Sequence, residues 1–215
     1  MKRLWFIAIL AASASACVEG NNPVQLLSAV PQGPESCTPE DVALTSGRLN
    51  YDASLGYIIT FGLFSPITEN TTGESTSPAA FYAEEIVYNY ESRPAPLPFI
   101  EESLPIYFVV PVGAQPGDSW LQVNLIGSEA RKKLDGAVPP APDFMTLLTT
   151  IKIKGRLPSG KEVETNEVTF PIDITRAGGC GSGVPTVLND QGKPLGPCAF
   201  AGQDEFLTGF ECVGG

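Results

Sequence analysis

Thr149–Thr175 reads TTIKIKGRLPSGKEVETNEVTFPIDIT, and this stretch decides the fold class. Ile151, Ile153, Gly155 and Leu157 fall on one side of a period-two pattern and Lys152, Lys154 and Arg156 on the other, as in a strand with one face in the core. Leu157-Pro158-Ser159-Gly160-Lys161 predicts a three-residue hairpin loop, with Pro158 opening a type I turn and Gly160 taking the left-handed position. Such a loop pairs Leu157 with Lys161. It therefore sets Arg156 opposite Glu162, Lys154 opposite Glu164 and Lys152 opposite Asn166. The first two of these pairs join opposite charges on the solvent face, which supports the register. Beyond Glu164 the apolar parity shifts from Val163 and Thr165 to Val168, Phe170, Ile172 and Ile174, predicting a bulge or kink near Asn166-Glu167.

Strand patterns extend on the N-terminal side of this hairpin. Val42–Asn50 reads as a first strand, and Leu55–Phe64 is an apolar run of the kind found in a central sandwich strand. Pro66–Pro78 reads as a polar loop; its Asn70-Thr71-Thr72 fits a glycosylation sequon, taken as chance. Glu84–Glu91 alternates, with Ile86, Tyr88 and Tyr90 on one face. Pro94, Pro96 and Pro98 make a stiff connection. Leu104–Val112 carries Pro105 and Pro111, which suit a sheet edge because proline donates no ladder hydrogen bond. Trp120–Ile126 alternates again. Ser128–Gly136 is the one predicted helix, with Ser128 as N-cap, a Glu129–Lys133 pair and Gly136 just past its end. Arg131-Lys132-Lys133 is read as its solvated last turn. Seven or eight short strands with one short helix predict an all-β chain, an immunoglobulin-like antiparallel β-sandwich, with an up-and-down barrel as the alternative. No cysteine pair lies within the strands, so the immunoglobulin disulfide-and-Trp signature is absent.

Composition narrows function by exclusion. The 215 residues include no His, 13 Lys and Arg and 24 Asp and Glu, for a net charge of −11. Without His there is no Ser-His-Asp triad and no His-ligated metal. The acidic balance argues against nucleic acid as a partner. Glycine and proline, 22 and 20 residues, favour short strands and many turns.

Met1-Lys2-Arg3, the apolar run Leu4–Ala12 and the small residues Ser13–Ala16 form an export signal, too short in its apolar part to span a bilayer. It is similar to a bacterial lipoprotein signal, in which small residues precede a Cys that receives diacylglycerol; Ala14 stands where such signals usually carry Leu. Lipidation of Cys17 would leave Cys37, Cys180, Cys198 and Cys212, an even number for an oxidising compartment, in any of three pairings. The alternative is a secreted protein with one thiol left over. By the same resemblance Val18, in place of Asp, implies the outer membrane. Removing residues 1–16 takes away Lys2 and Arg3 and no acid, leaving a net charge of −13 and favouring a domain that stands off an anionic surface. The expected organisation is a signal peptide over residues 1–16, a lipidated Cys17 with a flexible tether over 17–39, a sandwich over 40–176 and a Cys- and Gly-rich tail over 177–215. Val18–Ser36 as a coil spans about 25 Å. Leu26, Leu27 and Val30 give it the alternative of docking on the domain.

These features gather into a resemblance. A lipoprotein signal is followed by Cys37 shortly before Gly47-Arg48-Leu49, then a Pro-rich middle, TNEVTFPIDI (Thr165–Ile174) and a Cys-bearing tail with PCAFAGQDE (Pro197–Glu205). In this arrangement the chain resembles the uncharacterised outer-membrane lipoproteins of myxobacteria and related deltaproteobacteria, although its tail holds fewer cysteines. The resemblance implies an outer-membrane location and a β-sandwich, and no activity.

Candidate sites are weighed residue by residue. Glu84-Glu85, Glu101-Glu102 and Asp204-Glu205 are adjacent acids that a strand would turn to opposite faces, so solvation is preferred over glycoside hydrolysis. Asn189-Asp190 reads as a turn, not a calcium loop. Gly178–Gly183 lacks the Gly-Lys-Ser/Thr ending of a phosphate loop. Tyr57, Phe61, Tyr88, Tyr90 and Tyr107 are read as packing residues before a glycan platform. The sequence thus predicts a non-enzymatic envelope lipoprotein without cofactor or metal, held to the membrane through its N-terminal lipid. Its sandwich would bind an unknown envelope protein or glycan. Self-assembly is the second reading and a carboxylate hydrolase the third.

Overall fold

The computed structural model describes residues 22–67, 79–98, 100–180, 184–206 and 210–213. In chain order they form β1 (Gln25–Val30), β2 (Gly47–Asn50), β3 (Ile58–Phe64), β4 (Ala79–Arg93), β5 (Ile100–Pro111), β6 (Trp120–Asn124), helix α1 (Ser128–Leu134), β7 (Met145–Arg156), β8 (Glu162–Glu164), β9 (Val168–Thr175), β10 (Val184–Val187), a 3-10 turn at Asp204–Phe206, and β11 (Phe210–Val213). One sheet has the order β1-β3-β6. A second has the order β2-β9-β7-β4-β5, with β8 added to β7. Pairing is antiparallel except between β2 and β9. With β1, β3 and β6 as strands A, B and E, and β4, β5, β7 and β9 as C, C′, F and G, this is the strand order of the immunoglobulin sandwich.

Burial holds the two sheets face to face. Ile59, Phe61 and Leu63 of β3 join one apolar cluster with Ile86, Ile151, Ile153 and Ile172 of the larger sheet. The Tyr57 and Phe170 rings meet across the layers at 5.6 Å. Each such side chain contributes on the order of 1.5–3 kcal/mol by leaving water.

The hairpin folds as its sequence predicts. Arg156 pairs with Glu162 and Lys154 with Glu164, the Leu157 N–H donates to the Lys161 carbonyl at 2.9 Å, and Gly160 has φ +83°. Lys154 opposes Glu164 but reaches Glu85 instead (3.8 Å), while Glu164 accepts from Lys152 at 2.9 Å. Lys152 does not pair with Asn166. Pairing resumes at Ile151 and Val168, so the returning strand holds one extra residue at the predicted kink. The physical reason lies outside the hairpin: the Asn166 side chain accepts from the Leu26 N–H (2.8 Å) and donates to the Leu26 carbonyl (3.0 Å), joining β1.

Several expectations are corrected. The first strand among the described residues is β1, inside the segment read as a tether; Val24, Leu26, Ala29 and Val30 dock because they bury against β3. Only Gly47–Asn50 of the stretch from Val42 is strand. The helix is capped from a distance: Gly127 is the N-cap without a side-chain bond, Ser128 is already helical, and buried Glu102 of β5 accepts from the Ser128 hydroxyl and the Glu129 and Ala130 N–H groups at 3.2, 3.2 and 3.4 Å. Glu129 pairs with Lys132 (2.6 Å), not Lys133, and Arg131 is no solvated residue: it stacks 4.3 Å from the Tyr51 ring centre and donates to the Ser54 and Tyr51 carbonyls. Finally, the tail carries its own ladder, β10 against β11.

The two ends of the sandwich differ. At the end where β1 begins, β3 finishes, the β5–β6 connection turns and the Pro158–Gly160 tip protrudes. At the other end lie the β2–β3 link, the Pro94–Leu97 connection, α1 and the tail.

Candidate functional site

Ala137–Phe144 reads AVPPAPDF, three prolines and an aromatic between α1 and β7. Proline lacks an N–H and fixes φ, so this run cannot join a ladder along its length and crosses the end of the sandwich as a stiff strap. It is pinned to the end of β9. The Ala141 N–H donates to the Arg176 carbonyl (2.8 Å), the Arg176 N–H to the Pro139 carbonyl (2.9 Å), and the Thr175 hydroxyl to the Asp143 carbonyl (2.7 Å). Arg176 lies 4.6 Å from the Tyr51 ring centre, opposite in role to a free surface cation: it donates to Asp52 (2.6 Å) and to Asp135 (3.0 Å). Desolvation works against its charge, yet those carboxylates hold its pKa above the ordinary value.

The strap ends in Phe144, which is 57% exposed despite its size. Cavities of about 460 Å³ and about 490 Å³ lie on either side, both lined by Pro142 and Phe144. Pro94, Leu97 and Met145 line the first, and Arg48, Asp173 and Thr175 the second. Concave, mainly apolar surface with a few polar groups is what ligand and partner sites offer. The sequence reading did not single out Phe144; the signal available was a bulky aromatic at the end of a proline run.

A second constellation joins Gly47-Arg48-Leu49 to the tail segment Pro197–Glu205. Gly47 has no side chain because the Tyr57 ring packs against it. The Tyr57 hydroxyl donates to Asp204 at 2.7 Å, and the same carboxylate accepts from the Arg48 N–H at 2.9 Å. Burial, then the Asp204 charge, pushes the Tyr57 pKa up. Gln203 donates to the Ile58 carbonyl (2.8 Å) and accepts from the Ile58 N–H (2.9 Å), acting as one more strand residue beside β3. Over this corner Leu44, Ile58, Phe200 and Phe206 line a cavity of about 190 Å³. The tail closes the sandwich seam here.

The cysteines fall into two bridges. Cys37 joins Cys198, with Cα atoms 5.3 Å apart, and Cys180 joins Cys212 at 5.2 Å. Of the three pairings open to the sequence, this one ties the β1–β2 connection to the tail and the tail to itself. Cys17 and the sequon Asn70-Thr71-Thr72 lie outside the described residues. Two disulfides point to an oxidising, non-cytoplasmic compartment. Among the described residues no helix is long and apolar enough to cross a membrane.

The carboxylates separate by position. Glu101 is exposed and Glu102 buried, as strand alternation requires. Glu84 and Glu85 break that rule: a register shift between Ala83 and Glu85 leaves both on the solvent side, where Glu84 meets Arg156 (3.3 Å) and Glu85 meets Lys154. With Glu162 and Glu164 they line a cavity of about 370 Å³, each engaged by a base in a surface ion-pair network. Asn189 makes a turn, accepting from the Gln191 and Lys193 N–H groups, both at 3.0 Å. Gly178 takes φ +80° and its carbonyl accepts from Asn50. Tyr57, Phe61, Tyr88 and Tyr90 are buried, while Tyr107 is 85% exposed on edge strand β5, so the five aromatics form no common platform. Among the described residues no group of three or more Cys, Asp or Glu is arranged to hold a metal ion. No protein-family model matches the chain, and no curated protein matches it.

Proposed function

We propose that the protein is a non-enzymatic lipoprotein of the outer membrane, anchored through diacylglycerol on Cys17 and displaying its sandwich as a binding module. The observation that carries this reading is cysteine parity. Two bridges take up Cys37, Cys180, Cys198 and Cys212, and the fifth cysteine follows Ala14-Ser15-Ala16 at the end of an export signal. The likeness to myxobacterial outer-membrane lipoproteins and Val18 in the sorting position support the outer membrane as its destination. The Phe144 strap is the surface such a module offers, to an envelope protein or the apolar face of a glycan. Replacing Cys17 by Ser is expected to move the protein from the envelope fraction to the soluble fraction; an unchanged envelope fraction would contradict the anchor.

Self-assembly is the second reading, and β5 favours it. Among the described residues this strand is the edge of its sheet, and it exposes Tyr107 and Val109. A concentration-dependent dimer lost in Tyr107→Lys would favour assembly, and a monomer at all concentrations the binding module.

A further inference from the structure

The described chain leaves the sandwich at one end and is already fixed there. Val24 is buried, the Pro23 carbonyl accepts from the Ser65 hydroxyl at 3.3 Å, and Leu26 is held in both directions by Asn166. No slack therefore remains from Pro23 onward. Cys17 precedes Pro23 by six residues, and at ~3.3–3.6 Å per residue these reach no farther than about 20 Å however they are arranged. A lipid on Cys17 would sit within that distance of the end where β1 begins. The twelve residues of β7, at ~3.3–3.4 Å each, make the sandwich about 40 Å long. A leash half the length of the body keeps the β1-start end, and not the far one, beside the anchor.

We infer that the domain stands on the lipid surface with a fixed polarity. Its β1-start end, with the β5–β6 connection and the Pro158–Gly160 tip, faces the headgroups. The Phe144 strap, α1 and the tail face away. This rests on the lipid-anchor reading above. With a net charge of −13 once the signal is removed, the domain is repelled by an anionic surface and stands on its anchored end instead of lying along the bilayer. Trp120 lies at that end, opposite Gly62, and is half-exposed; Leu55, in the β2–β3 link, is exposed at the other. The candidate binding surface is thereby held roughly a sandwich length from the lipid, open to a partner outside the membrane.

Removal of Trp5 with the signal leaves Trp120 as the only tryptophan, which gives a direct test. The lipidated protein, taken from the envelope, is reconstituted in phosphatidylethanolamine–phosphatidylglycerol vesicles containing a dansyl-headgroup lipid. Energy transfer from Trp120 is compared with transfer in the W120F/L55W variant, where the donor sits at the far end. Transfer from Trp120 is expected to exceed the variant's at least severalfold. Equal or reversed transfer in protein that floats with the vesicles would overturn the polarity while leaving the anchor standing. Protein that does not float with the vesicles would overturn the anchor, and the polarity with it. Leu55 is exposed, so the variant retains the core; circular dichroism matching the parent checks this.

Discussion

Gln203 shows how one side chain can replace a stretch of ladder. Its amide completes both backbone groups of Ile58 at a part-buried corner of the sandwich. Gln203→Ala leaves those groups without partners and is expected to lower the unfolding free energy by about 1–3 kcal/mol, read from urea denaturation; an unchanged midpoint would contradict the clamp. Nothing near position 203 announces this, because the partner lies 145 residues away. The buried tyrosines give a pH dependence. Burial, helped by the Glu102 charge, pushes the Tyr88 pKa up to about 12. Burial likewise raises Tyr90, against the opposing hydrogen bond from the Gly127 N–H. Unfolded tyrosine titrates near 10. The folded state therefore holds these protons more tightly, and the stability this provides is complete below pH 10 and is lost as pH rises from 10 toward 12. The urea midpoint is expected to fall between pH 9 and pH 11, and to fall less in Tyr88→Phe. A midpoint equal at both pH values would contradict the account.

Among elements, the hairpin and the helix mark the limits of a local reading. The hairpin was legible because turn type, alternation and cross-strand charge all lie within eighteen residues and agree. Gly160→Ala places a side chain at φ +83° and should cost roughly 1–2 kcal/mol by urea titration. Gly155→Ala should cost more, because its Cβ would run into the Tyr82 carbonyl and the Phe81 ring. A larger loss at Gly160 than at Gly155 would contradict this ranking. The helix was located by its sequence, but its cap was not. Ser128 has the chemistry of a cap, yet the groups at the helix start go to Glu102, supplied by a strand that ends seventeen residues earlier. Glu84 and Glu85 escaped prediction for a related reason, since a bulge is set by the pairing of β4 with both neighbours and not by the pattern of β4 alone. Edge strand β5 was readable, because Pro105 excludes a central position.

For the whole molecule, the all-β sandwich followed from strand patterns, but its closure did not. β1 was hidden in a Pro- and Asn-rich segment, and the tail that seals the seam has no strand periodicity until β10. What ties both in is the Cys37–Cys198 bridge, which spans 161 residues of sequence, and the Arg48 N–H held by Asp204. The Phe144 surface was illegible for the same reason: its cavities arise only where strap, β4–β5 connection and β9 end meet. A stapled domain on a short leash assigns every cysteine a state. Non-reducing peptide mapping of the protein extracted from its native envelope reads all five states in one measurement. The expected result is a Cys37–Cys198 linked peptide, a Cys180–Cys212 linked peptide and an N-terminal Cys17 carrying diacylglycerol. Cys17 found in a disulfide, or an alkylatable thiol at any of the other four cysteines, would contradict it.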